Sequence, residues 1–330
     1  MADLFLTRRQ LLLVKVETTE GTDAAPQEAN SGDAVKHIDP WTIDLGQEFT
    51  EVVGGNLSRG NATPILGARP AGITFRSYLN GVSVGSFTAA NKPPLHAAIR
   101  ACGGFETFAS SNYSYKPATS AGSDVSVTIV AHVDGYEHRM VNCRGNMNLI
   151  YGANAPVIAE FTMRGQLTTE ASTSRSAPTG LTTLAPPQWI DSGSVLVDSV
   201  ACLNIEALNF NTNNTIYEER SSCAGSGSGI NRIIITERAP GGSMDPAAIE
   251  PNSHDAFGNW RSGTAATINL NAGTVAGNIV TLVVSNAIYK TVGWGDKSGL
   301  GIWNIDFEAY EGTAADDNWK LTFTDSWVVA

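Results

Sequence analysis

Apolar and polar residues alternate through a series of short segments, each bounded by Gly, Asn, Ser or Pro. Successive side chains on a strand point to opposite faces, so this spacing predicts half-buried β-strands. The segments are Leu11–Glu17, Trp41–Val53, Ala71–Leu79, Val125–His132, Glu137–Leu149 and Val157–Leu167. Further along come Val200–Asn211, Thr215–Glu219, Arg232–Arg238, Ala266–Leu270, Ile279–Ser285, Ala287–Val292, Leu300–Tyr310 and Trp319–Phe323. In the cleanest of them, Trp303, Ile305 and Phe307 share one face, and Asn304, Asp306 and Glu308 the other. One helix interrupts the pattern at Lys92–Gly103. Prolines open it, Arg100 sits in its last turn, and Leu95, Ala98, Ile99 and Cys102 recur on one face. A second, weaker helix is expected within Asp245–Trp260.

Polar, low-complexity stretches mark the loops. Glu20–Asp39 is long for a passive connector. Thr168–Pro187 is a Ser/Thr/Pro linker and the expected domain boundary, Ser221–Gly229 reads as a hairpin end, and Gly293–Gly299 as a long hairpin loop. On either side of the linker the elements follow a similar order: a β stretch, a short strand, a proline-opened segment, paired strands and a glycine-rich turn into a last strand.

Composition sharpens this picture. Of 330 residues, 42% are hydrophobic but only 16% charged, with 33 Gly and 14 Pro, which fits a turn-rich β protein and excludes a coiled coil or a disordered tail. The net charge is −11, and the half after residue 170 carries most of it (8 − 16 = −8, against 13 − 16 = −3 before). An acidic chain is ill suited to gripping phosphates, but repulsion is useful on a surface that nucleic acid must slide past. The apolar runs are too short to span a membrane, and Arg8-Arg9 before Leu11–Val14 reads as a strand entry rather than an export signal. The cysteines, Cys102, Cys143, Cys202 and Cys223, form no C-x-x-C and are expected to be reduced.

Enzyme chemistry finds little support. Gly81–Gly85 matches G-x-S-x-G, but the following helix starts too late for a nucleophile elbow. His132, Asp134, Glu137 and His138 crowd one hairpin, where a polar Asp-Gly turn is a simpler reading than a metal site. Glu218-Glu219 and Asp316-Asp317 are sequence neighbours, which a strand would aim apart. Trp294, Trp303, Trp319 and Trp327 suit a core or an interface better than a carbohydrate platform. No catalytic residue, metal ligand or cofactor is expected.

The opening Lys15-Val16-Glu17-Thr18-Thr19-Glu20-Gly21-Thr22-Asp23-Ala24-Ala25-Pro26 resembles the start of the tail tube (major tail) proteins of long non-contractile-tailed bacteriophages. Ala68-Arg69-Pro70, Pro93-Pro94-Leu95 through Gly103, Tyr113–Pro117, Ser126–Ile129 and the series Gly145, Gly152, Pro156, Phe161, Gly165 continue the resemblance in order over most of residues 11–167. Glu20 departs from it, standing where an aromatic is common.

The resemblance implies a mainly β fold of two tandem sandwich or half-barrel units, each with a small flanking helix, closing into a barrel ring on oligomerisation. The first unit would span 1–167, with an N-terminal arm at about 18–40; 168–187 would link it to the second, 188–330. The expected function is structural: stacked rings, trimeric and pseudo-hexameric or alternatively hexameric, form a hollow, negatively lined conduit for genome delivery. Partners would be further copies, tape measure, tail tip and terminator proteins, with DNA passing unbound. The place would be the virion tail, assembled in the host cytoplasm. Lumen candidates are Asp44, Glu48, Glu160, Thr162, Glu206, Asn304, Asp306 and Glu308; inter-ring arm candidates are Thr18, Thr22, Asp23 and Pro26. The alternative is a β-sandwich tail protein that binds a receptor or glycan.

Overall fold

The structure is a computed structural model. It describes residues 6–324 except 7, 31, 53–62, 83–86, 89–90, 121, 179–180, 182, 190–194, 199, 202–203, 222–228 and 313. The fold is mainly β, with 54% strand and 5% helix among the described residues. The first strands are β1 (Gln10–Val16), β2 (Ala34–Val35), β3 (Thr42–Leu45), β4 (Phe49–Thr50), β5 (Ile65–Leu66) and β6 (Pro70–Tyr78). Helix α1 (His96–Ala101) precedes β7 (Phe105–Ala109), β8 (Asn112–Lys116), β9 (Val127–Val133), β10 (Tyr136–Gly152) and β11 (Ile158–Ser172). Then come β12 (Val195–Val197), β13 (Val200–Ala201), β14 (Ala207–Asn211), β15 (Asn214–Arg220), β16 (Ile230–Arg238) and β17 (Gly241–Met244). Helix α2 (Ala256–Ser262) leads to β18 (Ala266–Ala272), β19 (Ile279–Lys297), β20 (Leu300–Ala309) and β21 (Trp319–Thr324).

Every ladder is antiparallel. One sheet runs across the chain in the order β3–β6–β11–β10–β14–β17–β20–β19. At their N-terminal ends the two long strands take further neighbours, β10 while still paired with β11. There β10 pairs with β9, which pairs with β1, and β19 pairs with β18 and β21. Strand β18 in turn carries β12, and β21 carries the hairpin β7–β8. Within the single chain the sheets do not close into a barrel.

Alternation puts one apolar cluster beneath both halves, from Leu12, Ile73, Phe75, Met147 and Phe161 to Phe210, Leu282, Ile305, Phe307 and Phe323. The expected helix face holds: Leu95, Ala98, Ile99 and Cys102 are all buried in this core. The second helix forms late in its expected window, capped by Asp255, whose carboxylate accepts the Gly258 N–H, and stopped by Gly263 at φ 66. The β9–β10 connection is a two-residue turn, with Asp134 at φ 42 and Gly135 at φ 98, which matches the right-handed twist of the flanking strands.

Two expectations are corrected. Gly293–Lys297, expected within a hairpin loop, continue β19, and the turn shrinks to Ser298-Gly299. Pairing with Leu300–Asn304 overrides the two glycines there. Thr168–Ser172, expected within the linker, extend β11 and pair with β10 as far as Ser172↔Tyr136. Ser83–Gly85 lie outside the described residues, as do Cys202, Cys223, Trp327 and most of Ser221–Gly229.

Candidate functional site

The long sheet has a buried face and a polar one. Ile43, Ile73, Met163, Phe161, Leu149, Phe210, Ile305 and Phe307 point into the core. The intervening positions therefore face away from it. Thr42, Asp44, Thr74, Arg76, Glu160, Thr162 and Arg164 supply this polar face in the first half. Asn148, Asn209, Asn211, Ser243, Thr291, Asn304, Asp306 and Glu308 supply it in the second.

Charges on this face are matched. Four carboxylates (Asp44, Glu160, Asp306, Glu308) stand with the exposed cations Arg76, Arg164 and Lys290, while Arg144, in register with Arg164, is buried and paired with Glu20. Glu160 pairs with Arg76, Asp44 lies 3.6 Å from Arg164, and Glu308 lies 2.8 Å from Lys290. Hydrogen bonds from Lys290 and then Tyr310 hold the Glu308 carboxyl below its ordinary range. Asp306 accepts from the Thr291 hydroxyl at 2.6 Å. The structure thus brings Asp44, Glu160, Thr162, Asn304, Asp306 and Glu308 onto one sheet face. Glu48 and Glu206 lie outside the strands, paired with Arg220 at 2.6 Å and Lys297 at 2.7 Å. Sequence reasoning missed the cations and the asparagines other than Asn304, although the alternation that selected the carboxylates marks them too.

Both ends of this sheet are open. Strand β3 pairs only with β6, and β19 beyond Ala287 pairs only with β20, among the described residues. Unpaired edges invite a further strand. Exposed apolar side chains gather at both. Leu45 at 39% and Phe49, Ile65 and Leu66 at 60–61% flank β3, while Trp294 at 68% lies on β19 and Leu300 at 73% at its turn. Trp294 meets Trp303 edge-on with centroids 5.1 Å apart, and Phe257 of α2 stacks on Trp303.

The segment expected as an arm lies along its own chain. Asp23 pairs with Arg139, the Ala24 N–H donates to Thr128 Oγ1 at 2.9 Å, and Pro26 is buried, while Thr18 and Thr22 are exposed. Behind it the Glu17 carboxylate is 7% exposed and takes four donors: Gly21 N–H, Asn142 N–H, Ser126 Oγ and Thr128 Oγ1. Asn142 sits at φ 56 where the β10 ladder slips register, so Glu17 satisfies an N–H that the bulge frees.

Other constellations are structurally committed. Glu137 is held by Arg139 and Arg175, His132 Nε2 lies 2.8 Å from the Thr173 carbonyl, and Asp134 pairs with Arg9. No metal-holding cluster occurs among the described residues. Beside α1, Glu106 meets His96 and Arg100 at 2.8 Å and Lys92 at 3.2 Å. Burial alone would raise the Glu106 pKa, but the His96 hydrogen bond and the Arg100 charge overcome it and hold the carboxyl far below its ordinary range. A cavity of about 520 Å³ near α1 is lined by Lys15, Asp33, Lys36, Tyr78, Lys92 and His96, with Asp33 3.8 Å from Lys15.

A face of matched charges and amides between two open strand edges suits assembly rather than turnover. Comparison with curated proteins finds no match. A family model described as phage tail tube protein matches residues 7–316, nearly the whole chain. This chain therefore belongs to the phage tail tube protein family.

Proposed function

We propose that three copies of this chain close a ring through the open ends of the long sheet, and that stacked rings form a hollow conduit for genome delivery. The observation that carries this is the eight-stranded sheet itself, with one polar face and, among the described residues, no further strand on either edge. Three such sheets make a barrel of 3 × 8 = 24 strands. Closure removes every edge, which is how β assemblies avoid open-ended aggregation.

The order of ladders supports two tandem units, 1–167 and 188–330. The path β1–β9–β10–β11–β6–β3 runs parallel to β12–β18–β19–β20–β17–β14, step for step. The hairpin β4–β5 sits between β3 and β6, as β15–β16 sits between β14 and β17. Each helix precedes the matching long strand. Six units from three chains then give pseudo-six-fold symmetry.

The polar face becomes the lumen wall, with Asp44, Glu160, Thr162, Asn304, Asp306 and Glu308 along it and Glu48 and Glu206 at its margins. Every cation of the wall already has a carboxylate partner, so none is free to hold a phosphate. Amides, hydroxyls and paired charges let DNA pass without binding. Thr18, Thr22, Asp23 and Pro26 belong to a segment that contacts the next ring. Tape measure, tail tip and terminator proteins complete the tail. The glycan-binding reading draws on exposed Trp294 and half-exposed Phe257 and Trp260.

Negative-stain electron microscopy of the concentrated protein tests the proposal. Hollow tubes or rings are expected. Monomers at every concentration, with retention on a glycan array, would replace it with the binding reading.

A further inference from the structure

The chain carries a template for its own interface. Inside one molecule, β14 docks on the C-terminal half of β10 in the register Asn148↔Asn211, Leu149↔Phe210, Ile150↔Asn209. Among the described residues the matching half of β19 has no strand on that side, and β3, the counterpart of β14, pairs on one side only. We infer that a second copy of this chain docks its β3 on β19 in the register of this internal seam, pairing Trp294 with the partner's Ile43. The inference rests on the ring proposed above and names its contact.

The register follows from two alignments. Cys143, where β10 leaves β9, corresponds to Ala287, where β19 leaves β18. Counting core-facing residues onward, and allowing for the extra residue that β19 inserts between Tyr289 and Thr291, Met147 corresponds to Val292 and Leu149 to Trp294. On the other side, Ile43 faces Ile73 as Phe210 faces Gly242. Leu149↔Phe210 therefore becomes Trp294↔Ile43, and Asn148↔Asn211 becomes Gly293↔Asp44. A slip of one residue would set apolar side chains against polar ones.

Two observations that played no part in the alignment agree with it. Trp294, in the position of fully buried Leu149, is 68% exposed in the single chain, an apolar residue lacking its cover. The hairpin β15–β16 folds onto β10, where the Arg144 guanidinium donates to the Ile233 carbonyl and the Asn142 amide to the Asn231 carbonyl. Its counterpart β4–β5 exposes Phe49, Ile65 and Leu66, and the same docking lays them over the next copy's β19. Trp294 is then covered on the core side of the sheet, and these three residues on the opposite side, over the position that corresponds to Arg144.

Disulfide trapping reads the register. In the internal seam, backbone bonds join Thr212 to Met147 and Ala153 to Glu206, so Asn148↔Asn211 is a non-hydrogen-bonded pair, with the shorter Cα separation. Its counterpart, Gly293→Cys with Asp44→Cys, falls within disulfide reach, while Gly293→Cys with Thr42→Cys is offset by two residues and does not. Both sites are exposed, and a Cβ at Gly293 meets nothing closer than 3.9 Å, so each single variant should melt with the parent. Oxidising the assembled first pair should move most of the chain into covalent trimers, and the offset pair should stay monomeric on non-reducing gels. Rings that form without crosslinks, or that crosslink equally through the offset pair, overturn the register and leave the ring. Failure of the single variants and the parent to form any ring overturns both.

Discussion

Glu17 shows what one residue contributes here. Its carboxylate ties the end of β1 to β9 and to the β10 bulge through four donors. Glu17→Ala leaves the buried Asn142 N–H unpaired and should cost about 3 kcal/mol, read from urea unfolding. Glu17→Gln should cost nearly as much, because its amide nitrogen would face donors. Glu106 sets a pH limit. Its folded-state pKa lies below the ordinary 4.5, so the unfolded chain binds the extra proton. The stability it contributes is complete above about pH 4.5 and is lost as pH falls through the folded value. Glu106→Gln should cost about 2 kcal/mol at pH 7, discounted for partial exposure, and should flatten the acid limb of a Tm–pH profile. An unchanged acid limb would remove Glu106 from that role. Neither role was legible in the sequence, since the Ser126, Thr128 and Asn142 partners of Glu17 stand 109 to 125 residues away.

Elements were legible where alternation was strong. Leu11–Glu17, Ala71–Leu79 and Leu300–Tyr310 fall within a residue of β1, β6 and β20. Strand β17, Gly241-Gly242-Ser243-Met244, was not, because it holds no β-branched residue and its pairing is imposed by β14 and β20. Those glycines have a packing reason. A Cβ at Gly242 would overlap the Asn209 carbonyl of β14 and crowd the Phe307 ring. Gly242→Ala should therefore destabilise the chain by about 3 kcal/mol, against less than 1 for Gly263→Asn at the exposed helix cap. Thermal melts of the two variants check the contrast, and equal melting temperatures would contradict the packing argument. The split prediction of β19 has its own cause: register shifts at each side of Ala287 break the period-two pattern inside one continuous strand.

At the scale of the whole molecule, the sequence carried the family resemblance, but not which strands neighbour which. Pairing joins residues far apart, and the in-chain seam between β10 and β14 crosses from one half to the other. That seam separates an eight-stranded sheet from two unrelated half-sheets, and in the proposed ring it makes each chain supply two units of the wall. The whole-chain charge of −11 also misjudged the polar face, where Arg76, Arg164 and Lys290 pair with its carboxylates. The most direct measurement is the mass of one isolated ring by native mass spectrometry. Three chains of 34.8 kDa, about 104 kDa, are predicted. A ring of six chains would contradict the account, because each chain would then supply one unit of the wall rather than two.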